Sequence, residues 1–458
     1  LPETTPTSSL WLPGQARAAV AAGRVDEARR LLDQADRAAP SAATSDDAES
    51  PDLVISWALV AEHGGDVATL LACADRLLEP VGQTGSGSCP VPRAHGWRIR
   101  ALLWSGETRR AREALEALDH ASIEADPGAM VESALARAWV TWFDGDISST
   151  AESVAAAQRE VSGDGASARE LALLAGSAHR ERNQLARAVP LLQEAGAVAA
   201  PSSHDVVAAL AASELARCHR AAGIGMEALE LVVSTRAAHP NLPSAVDVHL
   251  RSTEVRVRLD QGDIAGADDV VRGAPAGVDT QLLAARVALH QTPAHARELL
   301  EAIDTRTPRQ GVEKLLLRAQ LPDPGKADEA APLTEAISVG GPLGLVRTFL
   351  DEGPTLSRRL PELALEHTDR TTGRLAAIAC HELALAPTRR QVGPIEQLTP
   401  RELAVLRMLP LRMSNREMAA QLYISVNTLK THVRAIYRKL DAPHRSAAVH
   451  RATALQLV

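Results

Sequence analysis

The chain has 458 residues, of which 45% are hydrophobic and 23% charged. That is length for about three domains with sizeable cores, and it excludes a chain disordered throughout. The net charge of −8 conceals a division: residues 398–458 carry ten Lys/Arg against three Asp/Glu, and the remainder carries 39 against 54. An acidic body with a basic end suggests a polyanion partner for that end.

At the start, "LPETTPTSSLWLPG" has no basic n-region and no apolar h-region, so it reads as no signal peptide. No run approaches the roughly 18 apolar residues that suggest a membrane span. Leu1 is not a methionine, which fits either a fragment or a start codon read literally. Cys73, Cys89, Cys218 and Cys380 form no CxxC pair and suit reduced thiols of a cytoplasmic protein.

Residues 1–330 repeat. Each unit reads as an apolar helix, a Gly or Asn turn, and a second helix with a small residue at plus five and an aliphatic at plus nine. The unit is legible in "AAGRVDEARRLL" (Gly23, Ala28, Leu32), "WSGETRRAREAL" (Gly106, Ala111, Leu115) and "ERNQLARAVPLL" (Asn183, Ala188, Leu192). It recurs in "AAGIGMEALELV" (Gly223, Ala228, Val232) and "DQGDIAGADDVV" (Gly262, Ala267, Val271), with weaker copies at Gly65 and Gly145. Successive turn positions lie 42, 41, 39, 38, 40 and 39 residues apart, and later copies near Gln291 and Gly325 come sooner.

One such hairpin cannot bury its own apolar face, so the pattern predicts a stacked α-α superhelix of tetratricopeptide-like character. Its groove is a candidate site for a ligand or protein partner. Trp57, Trp97, Trp104, Trp139 and Trp142 fall on first helices of repeats two to four, where they either line an aromatic pocket or fill the core.

No catalytic motif emerges. "GQTGSGSC" (82–89) has the outer glycines of a phosphate loop, but Ser88 stands where its lysine belongs, and "DPGKAD" has Ala327 for the hydroxyl residue. HExxH, GxSxG and the dinucleotide fingerprint are absent from the sequence, and the 15 histidines are scattered. The expectation is a non-enzyme with no cofactor in this chain.

The last sixty residues are built differently. Thr399 with Glu402, and Ser414 with Glu417, have capping-box spacing, and Pro400 suits the first helical position. Helices are expected over "PRELAVLRML" and "NREMAAQL", then a long one after Ser425, then "RSAAVHRATAL". In "YISVNTLKTHVRAIYRKL" (423–440) there is no acidic residue, and two of the four lysines of the chain fall here. Leu429, Val433, Ile436 and Leu440 form one apolar stripe, with Asn427, Lys430, Thr431, Arg434 and Arg438 on the other side. A short helix, a turn and a basic exposed helix is the helix-turn-helix arrangement, whose second helix enters the DNA major groove. Lys and Arg can bond guanine edges, and the helix starts at Ser414 and Ser425 can offer amides to phosphates.

"LTPRELAVLRML…SNREMAAQLYISVNTLKTHVRAIYRKL" resembles the C-terminal domain of LuxR-type transcription regulators. It is most similar to the large ATP-binding, MalT-like members that add a helical-repeat sensor and an upstream ATPase. "RTFLDEGPTL" (347–356) resembles a segment those proteins carry after their repeats.

The resemblance implies an all-α chain, with a small four-helix helix-turn-helix domain following the superhelix. The domains would be 1–340 (helical-repeat sensor), 341–397 (helical connector and linker) and 398–458 (DNA binding). It implies groove-facing Lys430, Thr431 and Arg434, and phosphate contacts at Ser414, Asn415, Thr428, Lys439 and Arg445. Implied partners are promoter DNA, a second copy paired through the final helix, an inducer at the repeats, and RNA polymerase. ATP enters only if upstream sequence is missing. Arg412 and Asp441 stand where the family usually has glycine. Two other readings stay open: a scaffold whose end docks protein, and a fragment of an ATP-driven switch.

Overall fold

The computed structural model describes residues 11–38, 51–79, 91–120, 127–160, 166–196, 205–321, 330–366 and 370–385. Beyond these it describes the backbone of 426–439 and scattered positions between 402 and 421. Among the described residues every regular element is helical. They divide into two compact units, Leu1–Leu383 and Ala384–Val458.

Helices pair as hairpins. The earlier ones are α1 (Leu12–Ala21) with α2 (Val25–Ala38), α3 (Pro51–Gly64) with α4 (Val67–Leu78), α5 (Val91–Trp104) with α6 (Thr108–His120), and α7 (Pro127–Asp144) with α8 (Ile147–Glu160). Next come α9 (Ala166–Glu181) with α10 (Leu185–Gly196), α11 (Asp205–Ala222) with α12 (Gly225–Ala238), and α13 (Ser244–Asp260) with α14 (Ile264–Arg272). Two more follow: α15 (Val278–Gln291) with α16 (Pro293–Ala302), and α17 (Pro308–Arg318) with α18 (Ala331–Gly340). The first unit then closes with α19 (Arg347–Leu350), α20 (Pro354–Glu366) and α21 (Arg370–Leu385).

The turns explain the repeat. Gly23, Gly65, Gly106, Gly145, Gly223 and Gly262 all have positive φ, and Asn183 takes the same left-handed conformation at φ 62. Asn bears that conformation better than most side chains, so it can replace Gly there. At plus five, Ala28, Ala111, Ala188, Ala228 and Ala267 are fully buried. At plus nine, Leu32, Leu192, Val232 and Val271 are buried and Leu115 is half-buried. The shorter link from α15 to α16 runs through Thr292 at φ −143, an extended residue rather than a left-handed one.

The stack winds into a superhelix tight enough for repeats four apart to touch. Helix α3 packs against α11, and α5 against α13. Ser244 donates its hydroxyl to the Ser105 carbonyl at 3.2 Å, and Arg112 donates to the Arg306 carbonyl at 3.1 Å. The four tryptophans Trp97, Trp104, Trp139 and Trp142 are buried, so at these positions the core reading holds. Trp139 meets Trp104 and Trp142 edge-on at 6.2 and 5.8 Å, a geometry favoured by ring quadrupoles.

The first helices also bury charge. Arg100 of α5 reaches Glu62 of α3 and Glu132 of α7, each at 2.8 Å, and lies 3.8 Å from Glu170 of α9. Gly96 makes room for this: a Cβ there would fall 1.9 Å from the Glu132 carboxylate. Three carboxylates share one guanidinium. Burial pushes the Glu170 carboxyl up to about 7, with Glu62 and Glu132 adding to the shift against the pull of Arg100. A folded value above the unfolded one means the native state holds the extra proton, so stability falls as pH rises from about 4.5 through 7. Glu170→Gln is therefore expected to remove a loss of about 3 kcal/mol between pH 5 and 8, read as a flatter melting temperature against pH.

The segment after α18 runs back along the first helices. The Leu343 carbonyl accepts from the Ile147 and Ser148 amides, and the Thr348 amide donates to Glu181 at 2.7 Å. Asp351 sits among Arg347, Arg180 and Arg220. Glu352 takes Arg286 at 2.6 Å, Arg256 at 3.0 Å and the Gln320 amide at 2.8 Å. Burial raises the Asp351 carboxyl, but the surrounding guanidinium groups outweigh it and hold it near 2. Glu352 is lowered for the same reason, by Arg286 and Arg256. Residues 343–352 are thus integrated with the repeats of the first unit.

Candidate nucleic-acid interface

The second unit contains α22 (Val426–Lys439), whose 14 residues are VNTLKTHVRAIYRK. Leu429, Ala435 and the straight-chain Lys and Arg residues favour helix and offset the β-branched Val, Thr and Ile, and no acidic side chain interrupts the basic face. Leu429 and Ile436, seven residues apart and so on one face, are fully buried. Lys430 and Arg434, one turn apart, are exposed, as is Thr428. The long helix thus turns two hydrocarbon side chains inward and two unburied cations outward, which is what contact with a polyanion requires.

At the helix end Lys439 does something else. It donates to Glu402 at 2.8 Å, and the two side chains are only 10% and 6% exposed. The resemblance assigns Lys439 to phosphate, whereas here it ties α22 to the stretch holding Val405, Leu406 and Leu409, all buried. Lys439→Ala leaves the Glu402 carboxylate buried without this cation and is expected to cost about 3 kcal/mol of stability, read as a lower urea midpoint. A purely phosphate-binding Lys439 would instead weaken DNA binding and leave the midpoint unchanged.

Ser414, Asn415 and Arg445 lie outside the described residues, as do Thr399, Pro400, Glu417, Ser425, the final helix, Cys89, Ser88, Gly325 and Lys326. For Asn427 and Thr431 the backbone is described and is helical, within α22.

A family model for bacterial regulatory proteins, the luxR family, matches residues 396–452. The C-terminal segment is a luxR-family domain. A nitrate/nitrite response regulator protein homolog from Haemophilus influenzae is 35% identical over 107 residues, or 22% of this chain and 51% of that protein. The chain thus spans about half the length of that relative. Among solved structures, a Rap protein complexed with competence and sporulation factor is similar at TM-score 0.40 and 13% identity, covering 82% of this chain and 97% of the other. A monomeric IFIT1 mutant with a capped RNA, m7Gppp-AAAA, scores 0.32 at 16% identity over 99% and 91%.

Within the luxR-family domain, the residues that sequence reasoning placed toward the groove and that can be followed, Lys430 and Arg434, share one exposed side of α22. Sequence reasoning missed the Lys439–Glu402 pair. Its signal was present in Glu402, one of only three acids among the last 61 residues, but the capping spacing explained that residue first.

Among the described residues no helix is long and apolar enough to cross a membrane, and no cluster of His, Cys, Asp and Glu is suited to a metal.

Proposed function

We propose that the protein is a DNA-binding transcription regulator acting in the cytoplasm, with α22 entering the major groove and the helical repeats sensing a small molecule or protein. The observation that carries this is the exposed Lys430–Arg434 pair on an acid-free helix within the segment matched by the luxR family. Lys430 and Arg434 would bond base edges with Thr431, while Asn427, Thr428 and the helix starts near Ser414 and Asn415 would hold phosphates, as would Arg445. The final helix would pair two copies on DNA, and RNA polymerase would be the next partner. No step here asks for catalysis or a cofactor from this chain.

A protein-docking scaffold is the second reading, and the acid-free polar face of α22 disfavours it. Electrophoretic mobility of random-sequence duplex DNA separates the two. Retardation by the chain at low salt is expected, and unretarded DNA at micromolar protein would leave the scaffold reading in possession.

A further inference from the structure

The first helices are rich in arginine, and many of these cations are met by a carboxylate of the chain. Arg180 has Glu181, Glu214 and Asp351, Arg220 has Asp260 and Asp351, and Arg256 and Arg286 share Glu352. Residues 351 and 352 thus act as an internal acidic dipeptide, and they demonstrate which chemistry these guanidinium groups accept.

Two arginines close to these are matched less fully. Arg217 of α11 donates its Nε to Thr253 at 2.8 Å, and its Nη1 lies 3.5 Å from Glu214. That carboxylate is already taken by Arg180 and by His249 at 2.9 Å. Arg309 of α17 is less matched still. Its Nε and Nη2 are buried with no hydrogen-bond partner, while the side chain lies over the Gly145 turn. Asp279 is within range of its charge but is bonded to Gln310 at 3.0 Å instead.

We propose that Arg217 and Arg309 form a binding site for a compact oxyanion, the carboxylate or phosphate group of a small ligand. Guanidinium forks on two different helices suit such a group because each can present paired N–H donors to it. The electrostatics agree. Burial pushes the Arg217 guanidinium down to about 10, and Arg180, Arg256 and Arg309 add to the shift against the pull of Glu214. Burial and the fields of Arg217 and Arg309 bring the His249 imidazole to about 4 despite its Glu214 bond. At neutral pH that ring is uncharged and adds no cation, and an anion would supply the acceptor that the Nε and Nη2 of Arg309 lack. The inference goes beyond the regulator reading and stands without it.

The test is thermal unfolding of the full chain at constant ionic strength, with chloride replaced by inorganic phosphate in one arm and citrate in the other. The expected result is a melting temperature that rises by several degrees and saturates with concentration, as one-site binding requires. Arg309→Gln and Arg217→Gln should abolish the saturable rise, and Arg309→Lys should weaken it. A response to phosphate alone supports a phosphoryl ligand, and one to citrate alone a carboxylate ligand. A rise that does not saturate, or that is equal in wild type and both Gln variants, is a general salt effect and overturns the site. Should a Gln variant fail to fold, calorimetric titration of wild type and Arg309→Lys decides. One saturable site weakened by the Lys variant supports the proposal, and no binding heat or unchanged affinity overturns it.

Discussion

Glu352→Ala is expected to destabilise the protein by about 3–5 kcal/mol, more than any other single change discussed for the repeats. Its side chain is fully buried, and its carboxylate is the shared partner of Arg256, Arg286 and Gln320. Removing it strands the Arg286 guanidinium and leaves Arg256 only Glu313 at 3.4 Å, and the loss compares with a total domain stability of about 5–15 kcal/mol. Urea unfolding checks this directly. The same carboxylate also fixes a pH dependence. Glu352 and Asp351 both have folded values below their unfolded ones, so their contribution is complete above about pH 4.5 and is lost as pH falls toward 2. Wild type should therefore lose stability over that acid range more steeply than Glu352→Ala does. If the Ala variant unfolds at the wild-type urea midpoint, residues 343–352 are not fastened as described.

Lys430→Ala and Arg434→Ala are each expected to cost about 1–3 kcal/mol on a specific DNA site, roughly tenfold to a hundredfold in Kd. Both side chains are exposed on α22, so neither change should move the unfolding midpoint by more than about 0.5 kcal/mol. That separation distinguishes them from Lys439, whose bond to Glu402 predicts the opposite pattern, lost stability first. Fluorescence anisotropy and urea unfolding on the same three variants measure both halves. Equal Kd for wild type and the Lys430 and Arg434 variants would remove α22 from the interface.

The repeats were legible because their signal is local. A left-handed turn admits Gly or Asn and little else, and a helix packed closely against its neighbour needs Ala at a fixed offset, so positions 23 to 271 can be read from single residues. The stripe of Leu429 and Ile436 is local for the same reason. The charged ladder was not legible. Arg100 and Glu132 are 32 residues apart, and Arg286 and Glu352 are 66 apart. Along the sequence each looks like an ordinary charge on a helix face. Burying them depends on first helices of successive repeats stacking side by side and on residues 343–352 returning along them, and no short window of residues encodes that. Gly96 is the exception in principle: a glycine in mid-helix costs about 1 kcal/mol against Ala and needs a reason, which here is the Glu132 carboxylate beside it.

The proposed function requires the C-terminal domain to bind duplex DNA through the basic side of α22. Its most direct measurement is the affinity of the full chain for labelled duplex DNA as salt rises from about 50 to 200 mM, for wild type and for Lys430→Ala/Arg434→Ala. The expected result is measurable binding at low salt, a fall of at least roughly a hundredfold over that range, and a double variant weaker at every salt concentration. Absence of binding at 50 mM, or binding that ignores both salt and the two substitutions, would contradict it.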